Sequence, residues 1–172
     1  MALDSKGKRQ FEEARKLVHR GADGDKQAAA AAHEKLQKLI AADPHDALIK
    51  AYYGSALALL ARDATKPLEK ADLAQEGLDA LHEAVAMNPA DKEIRLLRAN
   101  VCVRLPESFF YSSATAIEDF QYLLDRLQEE PNALTPKQVR EILQNLSTAY
   151  QNVGKPKEAK EVLDRLDRMK KK

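Results

Sequence analysis

Apolar residues recur at intervals of three and four along almost the whole chain, the spacing of helices that bury one face. Residues about 5–20 carry Phe11, Ala14, Leu17 and Val18, and residues about 25–42 carry Ala29, Ala32, Leu36, Leu39 and Ile40. Pro44 in "ADPHD" ends that run, because proline rejects the helix interior and restricts the residue before it. The rhythm resumes over about 46–62 with Leu48, Ala51, Tyr52, Leu59 and Leu60, and over about 67–87 with Leu78, Leu81, Val85 and Met87. Pro89 in "MNPAD" breaks it again. A helix over about 91–105 holds Ile94, Leu97, Val101 and Leu105, and one over about 113–130 holds Ile117, Phe120, Leu123, Leu124 and Leu127. The last two fall at 136–152 and 156–169. Thr135, Pro136 and Gln138 open the first of these as a capping box with proline in the first turn. "RDATKP", "LPESFFYSS" and "EEPNALTPKQ" read as connections. No segment alternates with the period of a strand, so the chain reads as eight helices and an all-α fold.

Composition narrows the classes of function. The chain has 172 residues, enough for one domain with a real core. Its 28 Lys and Arg nearly balance 27 Asp and Glu, for a net charge of +1. That balance offers no general attraction to nucleic acid, whose binding depends on phosphate neutralisation, nor to anionic membranes. Hydrophobic residues make up 44%, which is globular rather than disordered. Six glycines, no tryptophan and abundant Ala and Leu favour helix over strand. The single Cys102 excludes an internal disulfide and a cysteine-rich zinc site, and fits a reducing cytoplasm. No run of about 18 apolar residues is present, so no membrane insertion is expected. The opening "MALDSKGKRQFEE" lacks the apolar stretch of a secretory leader. The expected location is cytoplasmic, although a leader already removed would leave no trace.

The two proline breaks align. "AADPHD" at 41–46 and "AMNPAD" at 86–91 both run polar residue, Pro, small or polar residue, Asp after an opening Ala and one apolar residue. Tyr53 and Gly54 follow the first proline at the offsets where Arg98 and Ala99 follow the second. Leu146, Ser147 and Tyr150 repeat that spacing near the end. The second helices match through Ala32 and Leu36, Gly77 and Leu81, Ala116 and Phe120, and Ala159 and Leu163. In these positions the chain resembles the tetratricopeptide repeat (TPR) family, in which small residues let two antiparallel helices approach and large ones fill the space beside them. The units fall at about 5–44, 46–89, 91–130 and 136–169, read as one domain spanning 1–172. The last carries the resemblance best, through Tyr150, Gly154, Ala159 and Leu163. The units are degenerate. None has the family's first-helix tryptophan, and the interval from Pro44 to Pro89 exceeds the usual period of about 34 residues.

The resemblance implies a right-handed α-solenoid of about four hairpins, whose concave face is lined by first helices and binds a protein or peptide. It places Leu48, Ala51, Ser55 and Leu59 on that face in the second unit. Leu96, Asn100, Val103 and Arg104 follow in the third, and Gln144, Thr148, Gln151 and Asn152 in the fourth. The resulting groove grades from apolar to amide-rich, and amides both donate to and accept from an extended backbone. The expected partner-binding residues are Ser55, Leu59, Asn100, Arg104, Gln144, Thr148 and Gln151. The function expected is that of a non-enzymatic adaptor or scaffold. A carboxylate clamp is not expected, since only Asn100 and Arg104 resemble one.

A second reading rests on "ESFFYSS". Phe109, Phe110 and Tyr111 place three of the nine aromatic residues in succession. Either they form a protruding tip that docks a partner or a second copy, giving a homodimer, or at least one ring folds back to plug a gap. Exposed end helices are another route to self-association.

No catalytic residue, metal or cofactor is expected. His19, His33, His45 and His82 have no partner at helical ligand spacing. "GADGDKQAAAAAHE" places Asp23, Asp25 and Glu34 like a calcium loop, but it lacks the turn glycine and its alanines favour helix. It reads as a hairpin turn followed by a helix start. No phosphate-cradling loop or nucleophile elbow occurs, and Cys102 falls at a packing position. The basic end "RLDRMKKK" suits a helix C-terminus.

Overall fold

The computed structural model describes residues 3–171. Among them are nine α-helices and no strand: α1 (Ser5–Ala22), α2 (Lys26–Ala42), α3 (Ala47–Asp63), α4 (Pro67–Met87), α5 (Lys92–Arg104), α6 (Glu107–Phe110), α7 (Ser113–Glu129), α8 (Pro136–Asn152) and α9 (Pro156–Lys170). Eight of them coincide with the expected spans.

Local chemistry explains those boundaries. The exposed amides of a helix's first turn need acceptors, and an Asp or Thr just before the helix supplies one. Asp4 accepts from the Gly7 amide at 2.7 Å and Asp25 from that of Ala28 at 3.0 Å. Asp46 and Asp91, the last residues of the two aligned proline motifs, do the same for Ile49 at 2.9 Å and Ile94 at 3.0 Å. The repeated motif is therefore a stop followed two residues later by a start. Thr135 and Gln138 form the expected reciprocal box, at 2.9 and 3.1 Å. The calcium-like stretch is a turn in which Gly24 takes φ +113° and Asp25 caps α2.

The ninth helix corrects the expectation of eight. "LPESFFYSS" is not an unstructured connection, because residues 107–110 close one helical turn. The Phe110 amide donates to the Pro106 carbonyl and the Tyr111 amide to that of Glu107, each at 3.0 Å. Pro106 presets the backbone before the turn. The Glu107 carboxylate accepts from the Ser113 amide at 2.9 Å, and the Ser112 hydroxyl donates to the Cys102 carbonyl at 2.8 Å. The turn is tied at both ends.

Contacts group the chain into two compact units, Met1–Arg98 and Ala99–Lys172. In the first, α1 packs on α2, α2 on α3, and α3 on α4, with α1 also touching α3. Phe11, Val18, Leu36, Leu39, Ile49 and Tyr52 lie at the centre of its core. Gly54 and Gly77 meet where α3 crosses α4. A Cβ on Gly54 would stand 2.8 Å from the Gly77 carbonyl oxygen, and one on Gly77 would stand 2.7 Å from that of Gly54. Backbone meets backbone, so only glycine allows this approach.

In the second unit, α8 packs on both α7 and α9. Phe120, Leu123, Ile142, Leu143 and Leu146 are fully buried. Here the close approach of the final hairpin uses Ser147, whose hydroxyl donates to the Ala159 carbonyl at 3.1 Å. Gly154 turns the chain between the two helices at φ +77°.

Candidate partner-binding surface

The residues expected to bind a partner fall into two groups. Ser55 and Leu59 are buried, 6% and 9% exposed. α3 is apolar over most of its circumference, and a helix of that kind is buried on most sides. Leu59 belongs to the core cluster of α1, α2 and α3. The Ser55 hydroxyl is buried without a hydrogen-bond partner among the described residues. Ala51, on the same helix, is also buried. These positions offer packing, not a surface.

The second group lies in the second unit. Gln144, Thr148 and Gln151 are exposed, and their spacing of four and three puts them on one face of α8. The Thr148 hydroxyl donates to the Gln144 carbonyl at 3.3 Å, which leaves its lone pairs available. The opposite side of α8 buries Val139, Ile142, Leu143, Leu146, Ser147 and Ala149, so the polar stripe is what packing leaves over. Arg104 is exposed at the end of α5. Asn100 is half-buried, and Asn145 reaches its side-chain oxygen at a long 3.4 Å. Val103 is buried, and the Asn152 amide spans to its carbonyl at 3.5 Å and to the Ser113 hydroxyl at 3.1 Å. Asn152, itself exposed, is thus hydrogen-bonded within its own unit. Asn145 is not among the expected residues, although the amide pair Gln144–Asn145 is its visible signal.

At the aromatic turn, Phe109 and Tyr111 are 66% and 73% exposed, while Phe110 is half-buried. The Phe109 and Phe110 rings meet edge to face at 4.9 Å. Tyr111 adopts φ 52°, ψ 37°, a left-handed conformation uncommon for a bulky side chain. One ring of this segment is partly tucked in and two project.

A polar cluster in the first unit has no local signature in the sequence. The Tyr52 hydroxyl donates to the Glu93 carboxylate, which also accepts from Arg15 at 2.6 Å. The Arg15 guanidinium lies 5.6 and 5.4 Å from the Phe11 and Tyr52 ring centres. Burial, followed by the bond to Glu93, pushes the Tyr52 phenol well above the ordinary tyrosine range. The cluster joins α1, α3 and the first turn of α5, and Arg15 also donates to Glu12 at 3.1 Å.

The histidines are scattered. His33 stacks on Tyr53 at 5.7 Å, His19 meets the edge of Tyr52 at 6.1 Å, and Arg98 approaches the His82 Nδ1 at 3.3 Å. Among the described residues no three His, Cys, Asp or Glu side chains gather as a metal-binding group. No described helix is long and apolar enough to cross a membrane.

Paired helices with small residues at their crossings and no strand among the described residues define an all-α helical-repeat protein. The fold is similar to that of tetratricopeptide repeat proteins. The fold matches that of TTC0263, a thermophilic TPR protein of Thermus thermophilus, with a TM-score of 0.61 and 20% identity, over 89% of this chain and 68% of that one. It also matches the crystal structure of MamA, with a TM-score of 0.56 and 19% identity, over 92% of this chain and 78% of that one. No protein-family model matches the sequence, and no curated protein matches it.

Proposed function

We propose that the chain is a non-enzymatic TPR adaptor whose four degenerate hairpins serve to hold an extended peptide segment of a protein partner. The observation that carries this reading is the exposed stripe Gln144, Thr148 and Gln151 on a helix whose Val139, Ile142, Leu143, Leu146 and Ala149 are all buried. Side chains four residues apart on a helix rise by about 6 Å. Alternate residues of an extended strand advance by about 6.8 Å. A peptide running along α8 therefore presents a carbonyl and an amide near each of these side chains for two or three residues. Each Gln can donate to the one and accept from the other. Main-chain recognition of this kind sets affinity, and pockets for alternate side chains set specificity. Asn100, held by Asn145, supplies a further amide within the same unit. Ser55 and Leu59 support from within rather than by contact, and Arg104 is left to another surface.

The test is selection from a random peptide display library on the intact chain, followed by affinity measurement on a Gln144→Ala, Gln151→Ala variant. Enriched peptides should lose about tenfold or more in affinity, at an unchanged thermal midpoint. Peptides that bind the variant as well as the parent, or a library that yields none, would remove the α8 stripe as the binding surface.

A further inference from the structure

We infer that the aromatic turn α6 is a self-recognition site, at which Phe109 and Tyr111 pack against the same turn of a second copy of this chain. The inference concerns a different surface and a different partner from the α8 stripe. Three observations support it.

First, apolar exposure is concentrated here. The large hydrophobic residues left exposed among those described are Leu68, Met87, Phe109 and Tyr111. Leu68 and Met87 stand at opposite ends of the 21-residue α4, so neither adds to the other. None lies on α1 or α9, so exposed end helices give no comparable apolar face. Phe109 and Tyr111 are exposed two residues apart at one turn, with the half-buried Phe110 packed edge-on against Phe109. The Glu107 and Ser112 hydrogen bonds hold the turn in place, so docking orders little that is not already ordered.

Second, the residues that lead into the turn carry both signs of charge. Arg104 is exposed three residues before the half-exposed Glu107, at the entrance to the turn. A two-fold contact sets each residue of a patch against its counterpart's neighbour. An apolar centre with one cation and one anion beside it is complementary to itself under that operation, with Arg104 of one copy facing Glu107 of the other.

Third, the area defines the kind of association. Two aromatic side chains exposed to this degree present on the order of 300 Å². A symmetric pair buries about 600 Å² in total before flanking contacts, well below the roughly 1,200 Å² of stable interfaces. The dimer is therefore weak and responds to concentration. It is not a permanent assembly.

The experiment is light scattering on the intact chain across about a hundredfold range of concentration, with two sets of variants. The first is Phe109→Ser with Tyr111→Gly. Both side chains are exposed, and glycine relieves the left-handed backbone at 111, so this variant keeps its helicity. The second is Arg104→Glu and Glu107→Arg, each alone and then mixed in equal amounts. The expected result is a parent that moves from one chain towards two, and an aromatic variant needing about tenfold more protein for the same shift. Each charge variant alone is expected to stay monomeric, while their mixture associates, because only the mixed pair restores both ion contacts. If Glu107→Arg lowers the thermal midpoint by releasing Ser113, the aromatic variant decides by itself. A parent that stays a single chain throughout overturns the inference, as does a dimer that survives loss of both rings, or a mixture of sound variants no better than either alone.

Discussion

The hairpin of α3 and α4 and the hairpin of α8 and α9 are built on one plan and come to opposite ends. In the first, Gly54 and Gly77 bring two backbones into contact, and α3 is buried through Ile49, Ala51, Tyr52, Ser55, Leu57 and Leu59. In the second, Ser147 keeps the crossing through a hydroxyl bonded to the Ala159 carbonyl, and α8 keeps a full polar face. Residues at matching places of the two first helices are therefore packing in one hairpin and surface in the other. A repeat position does not carry a role of its own. Whether it binds depends on how many sides of its helix are already covered.

The largest effect should come from the glycine crossing. Gly77→Ala puts a methyl 2.7 Å from the Gly54 carbonyl oxygen and 3.1 Å from the Ala58 nitrogen. Neither atom belongs to a flexible side chain, so the helices must separate, at a cost of about 2–3 kcal/mol. Chemical denaturation reads it directly. A neutral result would mean that the two backbones do not touch.

A middle-sized effect belongs to Tyr52. Tyr52→Phe removes the hydroxyl from Glu93, which keeps Arg15, and should cost about 1–2 kcal/mol. The folded phenol is held above the unfolded tyrosine value of 10.0. Its contribution is complete below that value and is lost as pH rises beyond it, because the unfolded chain then releases a proton that the folded chain keeps. Denaturation midpoints measured on both proteins above pH 10 should fall more steeply for the parent. Parallel slopes would show that Tyr52 ionises freely.

The smallest of the three is Ser147→Ala, about 1 kcal/mol or less. The alanine fits the crossing, and the Ala159 carbonyl loses one donor without becoming orphaned from its helix. A loss as large as that of Gly77→Ala would make the two crossings equivalent and erase the contrast between the hairpins.

Much of this architecture was legible because it is local. Pro44, Pro89, Pro136 and Pro156 mark where helices stop or start, Asp46 and Asp91 cap the helices after them, and the spacing of three and four names the buried side of an amphipathic helix such as α8. Gly54 could be suspected of a close approach from its place in the repeat. The turn α6 escaped because four residues are too few to show a period. Ser55 and Leu59 were misleading for the opposite reason. A helix apolar nearly all round has no face that sequence can choose, and only neighbours covering it decide that these side chains are inside. In the cluster of Arg15, Tyr52 and Glu93, the bonds to Glu93 span 41 and 78 positions, where no local spacing carries a signal. The chain's own order of residues thus determined its helices, their ends and its repeat character, since each depends on interactions within a few residues. Tertiary structure alone decided which helix faces remain open to a partner, since exposure belongs to the packed assembly and not to any one helix.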